Sequence, residues 1–294
     1  MLYVKNGDLQ IQLGKGKCFG TFGELMQGVL EDGQDFLVTF PINLFSSATF
    51  IANPGDAQLV VEPAFKKKSR KLAEMIINHF NLPKGGKLCI ESNLPIGKGF
   101  ASSSADLVSV ARAIADCYKL EIQLPLLQHM MSQLETSDGV MYSGVVSFYN
   151  KRVELIEKFD FLPPITIVGV DNGGEVDTSN FHRVSKGYSI EDRKHYAQML
   201  EEMTIALRKL DLLKIAQISS ESARMNQKVN PSKVMEFVDI VCNEVGALGI
   251  IKAHTGTYSG ILLSVNDQDY EKKLEKSIEL LGKSCRNVSI FHSY

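Results

Sequence analysis

The stretch Pro95-Ile96-Gly97-Lys98-Gly99-Phe100-Ala101-Ser102-Ser103-Ser104-Ala105 constrains this chain more than any other. A proline and glycine turn runs into serines, and the serines open a helical pattern. Leu107, Val110, Ala111, Ile114 and Tyr118 recur at helical spacing from Ala105 onward. That spacing puts the N-cap at Ser102 or Ser103. A helix start leaves up to about four backbone N–H groups without intrahelical partners and carries the positive end of the helix dipole. Small residues at alternate positions, Gly97, Gly99 and Ala101, let a bulky anion approach those donors. The stretch reads as a phosphate cradle; a glycine turn feeding a capped surface helix is the plainer alternative.

Two common nucleotide motifs do not account for it. In G-x-x-x-x-G-K-[ST], Gly282-Lys283-Ser284 ends correctly, but Ser277 stands where the first glycine belongs. The G-x-G-x-x-G fingerprint fails because Gly97-Lys98-Gly99 is followed by Ser102 in the third glycine's place.

A chain of 294 residues, 44% of them apolar, holds one large core or two ordinary ones. A net charge of −2 gives no global reason to expect nucleic acid or an anionic membrane as partner. The basic run Lys66-Lys67-Lys68-Ser69-Arg70-Lys71 leads into Leu72, Ala73, Ile76 and Phe80, the pattern of a solvated first turn on an amphipathic helix. The cysteines Cys18, Cys89, Cys117, Cys242 and Cys285 are odd in number and lack CxxC spacing, which favours a reducing compartment over a structural zinc. No stretch of about 18 apolar residues occurs, so a soluble, cytoplasmic protein is expected.

The first third reads as strands: Leu9, Ile11 and Leu13 alternate, and Phe36–Val38, Phe45–Ile51 and Leu59–Val61 are β-rich. Helices are predicted at Lys71–Phe80, Ala105–Leu120 and Leu124–Leu134, with strands at Lys87–Glu91 and Val145–Tyr149. Beyond Pro163-Pro164, Ile165–Val170 is a buried-strand candidate. The second half carries amphipathic helices and strands at Gly249–Ala253, Gly260–Val265 and Asn287–Phe291. This pattern predicts an α+β protein of two compact parts, 1–160 and 161–294.

Several segments carry a family resemblance. Pro95–Ala105 resembles the P-x-x-x-G-L-x-S-S-x-A signature of the GHMP kinases, the superfamily of galactokinase, homoserine kinase and mevalonate kinase. Phe100 stands for the usual leucine and Ala101 for the frequent glycine. Gly23-Glu24 is similar to the G-E of the first GHMP motif, in a glycine-dense segment, Gly20–Gly28, that alone reads as a tight hairpin or bulge. Ala253-His254-Thr255-Gly256-Thr257 falls where the third motif is expected, and by resemblance lies against the phosphate loop. The series G-T-x-G-E-L-x-Q-G at Gly20–Gly28, L-E-x-x-D at Leu134–Asp138, D-x-G-G-x-V-D-T at Asp171–Thr178, E-S-A-R-x-N-Q at Glu221–Gln227 and A-H-T-G-T at Ala253–Thr257 is similar to the L-threonine kinases of cobalamin biosynthesis.

The resemblance implies a two-domain GHMP kinase fold, with an N-terminal ribosomal-protein-S5-like domain that binds ATP and a C-terminal ferredoxin-like α/β sandwich. It implies ATP and Mg²⁺, and transfer of the γ-phosphoryl to the side-chain hydroxyl of L-threonine. L-Serine, homoserine or a sugar as acceptor, and a non-catalytic nucleotide-binding module, stand as alternatives. Pro95, Gly97, Lys98, Gly99, Phe100, Ala101, Ser102, Ser103 and Ser104 are expected at ATP. Ser103 and Glu135 are expected on the metal, and Asp138 as the base; homoserine-type members manage without one. Asp171, Asn172 and Asp177 suit an ammonium and carboxylate ligand, as does the cluster Glu221, Arg224, Asn226 and Gln227, with Arg224 a candidate for the substrate carboxylate. Glu24, Gln27, His254 and Thr255 complete the expected substrate contacts. The partners implied are small molecules, with neither nucleic acid nor membrane, and a homodimer is left open.

Overall fold

The computed structural model describes residues 12–173, 187–285 and 287–294. Its contacts divide into two compact units that interleave along the chain. One unit takes the residues through Cys18, Phe45–Asn93 and Ala105–Glu135; the other takes Phe19–Leu44, Leu94–Ser104 and Thr136–Tyr294. Two long strands, β1 (Gln12–Val29) and β2 (Asp35–Ala52), run through both.

In the first unit, β2 pairs antiparallel with β4 (Gly86–Ser92) from Ser46↔Ser92 to Ala52↔Gly86. β4 pairs in parallel with β3 (Leu59–Glu62). A parallel pair needs a crossover, and helix α1 (Lys67–His79) supplies it. Leu72, Ala73, Ile76 and Ile77 form its buried stripe. Helix α2 (Ser102–Tyr118) buries Leu107, Val110, Ala111 and Ile114, the face that the sequence spacing predicts, and α3 (Leu124–Ser132) buries Leu127, Met130 and Met131. The basic run is not wholly a solvated face. Lys66 forms an ion pair with buried Asp106, and Lys68, though itself exposed, pairs with Glu135, which leaves Lys67 and Lys71 as the exposed cations outside those pairs.

In the second unit, β10 (Val288–His292), β7 (Ile165–Asp171), β9 (Tyr258–Ser264), β8 (Gly249–Lys252) and β1 lie side by side in that order. A hairpin of β5 (Val146–Tyr149) and β6 (Glu154–Lys158) joins β2 through Leu37↔Phe148. Helices α4 (Ile190–Lys209), α5 (Leu212–Asn226), α6 (Met235–Val245) and α7 (Tyr270–Ser284) complete it. β7 is buried over Ile165–Val170, as its unbroken apolar run requires. Val168, Val170, Val238, Val241, Ile250, Ile261 and Leu281 form one apolar core there.

The glycine-dense segment Gly20–Gly28 is neither a hairpin nor a turn: it continues β1, with a left-handed residue at Gly23 (φ 53°) its one backbone irregularity of that kind. Leu9 and Ile11 lie outside the described residues. Among the described residues, no helix is long and apolar enough to cross a membrane, and all five cysteines are free thiols.

Candidate active site

The loop before α2 is built on left-handed backbone at alternate positions: Gly97 has φ 69°, Gly99 87° and Ala101 53°. The left-handed conformation costs a β-carbon-bearing residue roughly 1–2 kcal/mol. At Ala101 that cost is retained in a segment whose carbonyls at Lys98, Gly99 and Phe100 are engaged. Lys98 O accepts from Thr257 N (3.3 Å), Gly99 O from Gly23 N (2.9 Å) and Phe100 O from Thr21 N (3.2 Å). The C=O and N–H of a trans peptide point opposite ways. Tying down those carbonyls therefore turns the amides of Gly99, Phe100 and Ala101 away from their partners, the arrangement of an anion-binding nest.

The helix begins at Ser102, itself one of the two predicted caps, so the cap falls one residue earlier. The serines thus occupy its first turn, and the residue before it is Ala101, whose methyl cannot accept from the first-turn amides. Phe100 is not a nucleotide contact through its ring, which is 1% exposed. It packs on Phe22 (5.4 Å), Tyr258 (5.0 Å) and Phe291 (5.1 Å) and pins the loop from beneath.

Two carboxylates are attached to this loop. Asp138 Oδ2 accepts from Ser104 Oγ (3.2 Å), while the Asp138 amide donates to the same hydroxyl (3.4 Å). Asp171, at the end of β7, accepts from Lys98 Nζ (2.9 Å), Thr257 Oγ1 (2.5 Å) and the Gly173 amide (3.0 Å). Burial pushes the Asp171 carboxyl up. The hydrogen bonds from Thr257, Lys98 and Gly173, with the Lys98 charge, outweigh burial and hold it below the ordinary carboxylate range. The Asn172 amide donates to Thr257 O (2.9 Å), which ties the end of β7 to the 253–257 loop.

The 253–257 loop lies against the phosphate loop, as the resemblance implies. A β-carbon on Gly256 would stand 2.0 Å from Lys98 O, and one on Gly99 2.7 Å from Ala253 Cβ. Behind it, Glu24 and His254 are 3% and 0% exposed and hold one another. Glu24 Oε2 accepts from His254 N (3.0 Å), and His254 Nδ1 lies 2.8 Å from Lys252 O, an acceptor only. Nδ1 therefore carries the proton, and Nε2 accepts from Ser222 Oγ (2.8 Å). Glu24 and His254, expected at the substrate, thus brace the loop from inside. Gln27 donates its amide to Ser222 Oγ (3.3 Å), and its side-chain Oε1 is buried without a hydrogen-bond partner. Thr255 is partly exposed on the loop itself.

Other expected groups lie apart. Arg224 is bound bidentately to Asp239 (2.7 and 2.9 Å), which raises its pKa, Glu221 pairs with His195 (2.6 Å), and Gln227 accepts from Ser232 N (2.7 Å). Residues on one helix turn point several ways, so that cluster does not converge. Asp177 lies outside the described residues. Glu135, in the first unit, is paired with Lys68; Ser103 is half-buried in the first turn of α2. A hydroxyl and a carboxylate are the hard oxygen donors that suit Mg²⁺. Lys252 was not singled out from the sequence: it is 2% exposed, bonded to Gln227 Oε1 (3.2 Å) and Asn230 O, and burial pushes its ammonium down to about 8.

Residues 66–148 match the GHMP kinases N terminal domain. The L-threonine kinase of Citrobacter freundii is 22% identical over 263 residues, 87% of this chain and 89% of that protein. The homoserine kinase of Cytophaga hutchinsonii superposes with a TM-score of 0.74 at 13% identity, covering 100% of this chain and 97% of its own. Over residues 66–148 this chain is thus similar to the GHMP kinases, and its fold is theirs. A further structure with the same fold was solved with AMPPCP and magnesium (TM-score 0.70, 13% identity, 96% of each chain covered). The domain match and the kinase-named relatives support an ATP-dependent small-molecule kinase, and the fold is α+β.

Proposed function

We propose that this GHMP kinase transfers the γ-phosphoryl of ATP to the side-chain hydroxyl of a small hydroxy amino acid, L-threonine first among them. The observation that carries the reading is the carboxylate of Asp138 held on Ser104, at the mouth of the helix whose first turn faces the phosphate loop. The acceptor assignment is supported by similarity to an L-threonine kinase along most of the chain. In this reading the amides around Gly99–Ser104 hold the polyphosphate. The Ser103 hydroxyl, in the first turn of α2, would offer an oxygen to Mg²⁺, which neutralises phosphate charge. Asp138 takes the proton of the acceptor hydroxyl as that oxygen bonds to the γ-phosphorus and the bond to the bridging β–γ oxygen breaks, releasing ADP. Asp171, Asn172 and Gln27 offer acceptors to an ammonium or hydroxyl.

The test is ADP release with Mg·ATP over L-threonine, D-threonine, L-serine, L-homoserine and common sugars, with the product identified by phosphorus NMR. L-Threonine is expected to give the highest kcat/KM and a phosphomonoester product. A higher kcat/KM for a sugar or for homoserine overturns the acceptor; no acceptor-dependent ADP release with any of them leaves a nucleotide-binding module.

A further inference from the structure

We propose that Lys98 and Asp171 form an exchangeable ion pair that makes amine binding depend on nucleotide binding. This rests on the reading that the acceptor carries a primary ammonium. Lys98 stands between the left-handed glycines Gly97 and Gly99, at the centre of the phosphate loop. Its ammonium is nonetheless turned to Asp171, 2.9 Å away, with side-chain exposures of 19% and 14% for the pair. A carboxylate this sheltered needs a cation beside it, since removing one partner of a buried pair leaves an uncompensated charge. Thr257 Oγ1 and the Gly173 amide orient the carboxylate but bring no charge.

A bound polyphosphate would offer Lys98 several negative charges beside its own backbone, and the flexible four-carbon stem of lysine lets the ammonium swing without moving the loop. Asp171 would then lack its cation while keeping both neutral donors. The group that fits the vacancy is another –NH₃⁺, the same charge and the same donors as the one that left. A hydroxy amino acid brings that group. Without nucleotide, Lys98 fills the place; with nucleotide, substrate does. Such coupling is reciprocal and typically amounts to about 5- to 150-fold in affinity. The depressed Asp171 pKa agrees with a carboxylate kept ionised for a cation.

The experiment is calorimetric titration of L-threonine into the full chain, with and without saturating Mg·AMPPNP. In the parent, the analogue is expected to tighten threonine binding by about tenfold or more. Lys98→Met is expected to bind threonine comparably in both states, at the parent's nucleotide-bound affinity. Lys98→Arg, which restores the pair, is expected to recover part of the dependence, and thermal melts report that each variant is folded. Asp171→Asn is expected to lose threonine affinity in both states while still binding Mg·AMPPNP. (R)-3-Hydroxybutyrate, which keeps the hydroxyl configuration of L-threonine and lacks the amine, is expected to show no dependence. Parent threonine affinity within twofold with and without analogue overturns the inference, as does full coupling in folded Lys98→Met. If threonine is phosphorylated but uncoupled, the inference alone fails. If threonine neither binds nor is phosphorylated, the acceptor reading fails and takes this inference with it.

Discussion

Replacing Gly256 by alanine tests whether the 253–257 loop seats the phosphate loop. The added β-carbon would lie 2.0 Å from Lys98 O, 2.4 Å from Lys98 C and 2.7 Å from Gly99 Cα. All three are backbone atoms of the phosphate loop, so no side chain can rotate out of the way. A carbon and a carbonyl oxygen approach to about 3.3 Å at the closest in ordinary contacts, so the two loops must part by about 1.3 Å, the difference from the built position. That movement strips Lys98 O of its bond from Thr257 N, already 3.3 Å long. Overpacking of this kind costs about 1–3 kcal/mol, and the lost hydrogen bond about 1 more. If half of that falls on the nucleotide-binding conformation, affinity for Mg·AMPPNP drops by about 5- to 30-fold. Isothermal titration gives the affinity, and a thermal melt shows whether the variant is folded. Gly282→Ala is the control, because a β-carbon there meets nothing within 4 Å. A folded Gly256→Ala variant that binds Mg·AMPPNP within twofold of the parent would refute the reasoning.

Other outcomes follow from the same geometry. Asp138→Asn keeps the shape that meets Ser104 but removes the base, so kcat is expected to fall by about 10²- to 10⁴-fold with KM for ATP little changed; a rate within fivefold of the parent at saturating substrates contradicts it. Ser103→Ala is expected to raise the Mg²⁺ concentration needed for half-maximal turnover, and to weaken Mn²⁺ binding in the presence of ATP analogue read by electron spin resonance; unchanged Mn²⁺ binding discards the metal assignment. Lys252→Met tests the buried ammonium through pH. The group titrates at about 8 in the folded chain against 10.5 ordinarily, so between these values the unfolded chain holds a proton that the folded one has released. The parent therefore gains stability over Lys252→Met as pH rises through that window, by about 3 kcal/mol in all at 1.36 kcal/mol per unit. Urea melts of the two at pH 7 and pH 9.5 that respond identically to pH contradict the shift.

The left-handed loop before α2 was legible in the sequence because its demands fall on single residues. Left-handed backbone selects small side chains, and Gly97, Gly99 and Ala101 at alternate positions announce it; the α2 face with Leu107, Val110, Ala111 and Ile114 follows from helical periodicity alone. What was illegible depends on chain brought together from afar. Lys68 meets Glu135 across 67 positions, and nothing in a basic run shows which lysine will find an acid. Gly20–Gly28 looks like a turn because glycine usually marks one, yet here glycines admit neighbours closely: Gly28 faces the Tyr196 ring and Gly23 the backbone of Ala253. Motif position also does not say which way a side chain points. His254 and Glu24 sit in recognisable motifs and face inward, while Arg224, two residues from inward-facing Ser222, turns to Asp239.

The central claim is that the backbone amides from Gly99 to Ser104 hold the phosphates, and hydrogen exchange measures those amides directly. The parent chain is exchanged with and without saturating Mg·AMPPNP, and peptides covering residues 96–105 are followed by mass spectrometry. Exchange in that segment is expected to slow by about tenfold or more on adding the analogue, with weaker slowing in 253–257, which packs against it. Saturable binding of the analogue with no change in residues 96–105, and protection concentrated elsewhere, would contradict the account.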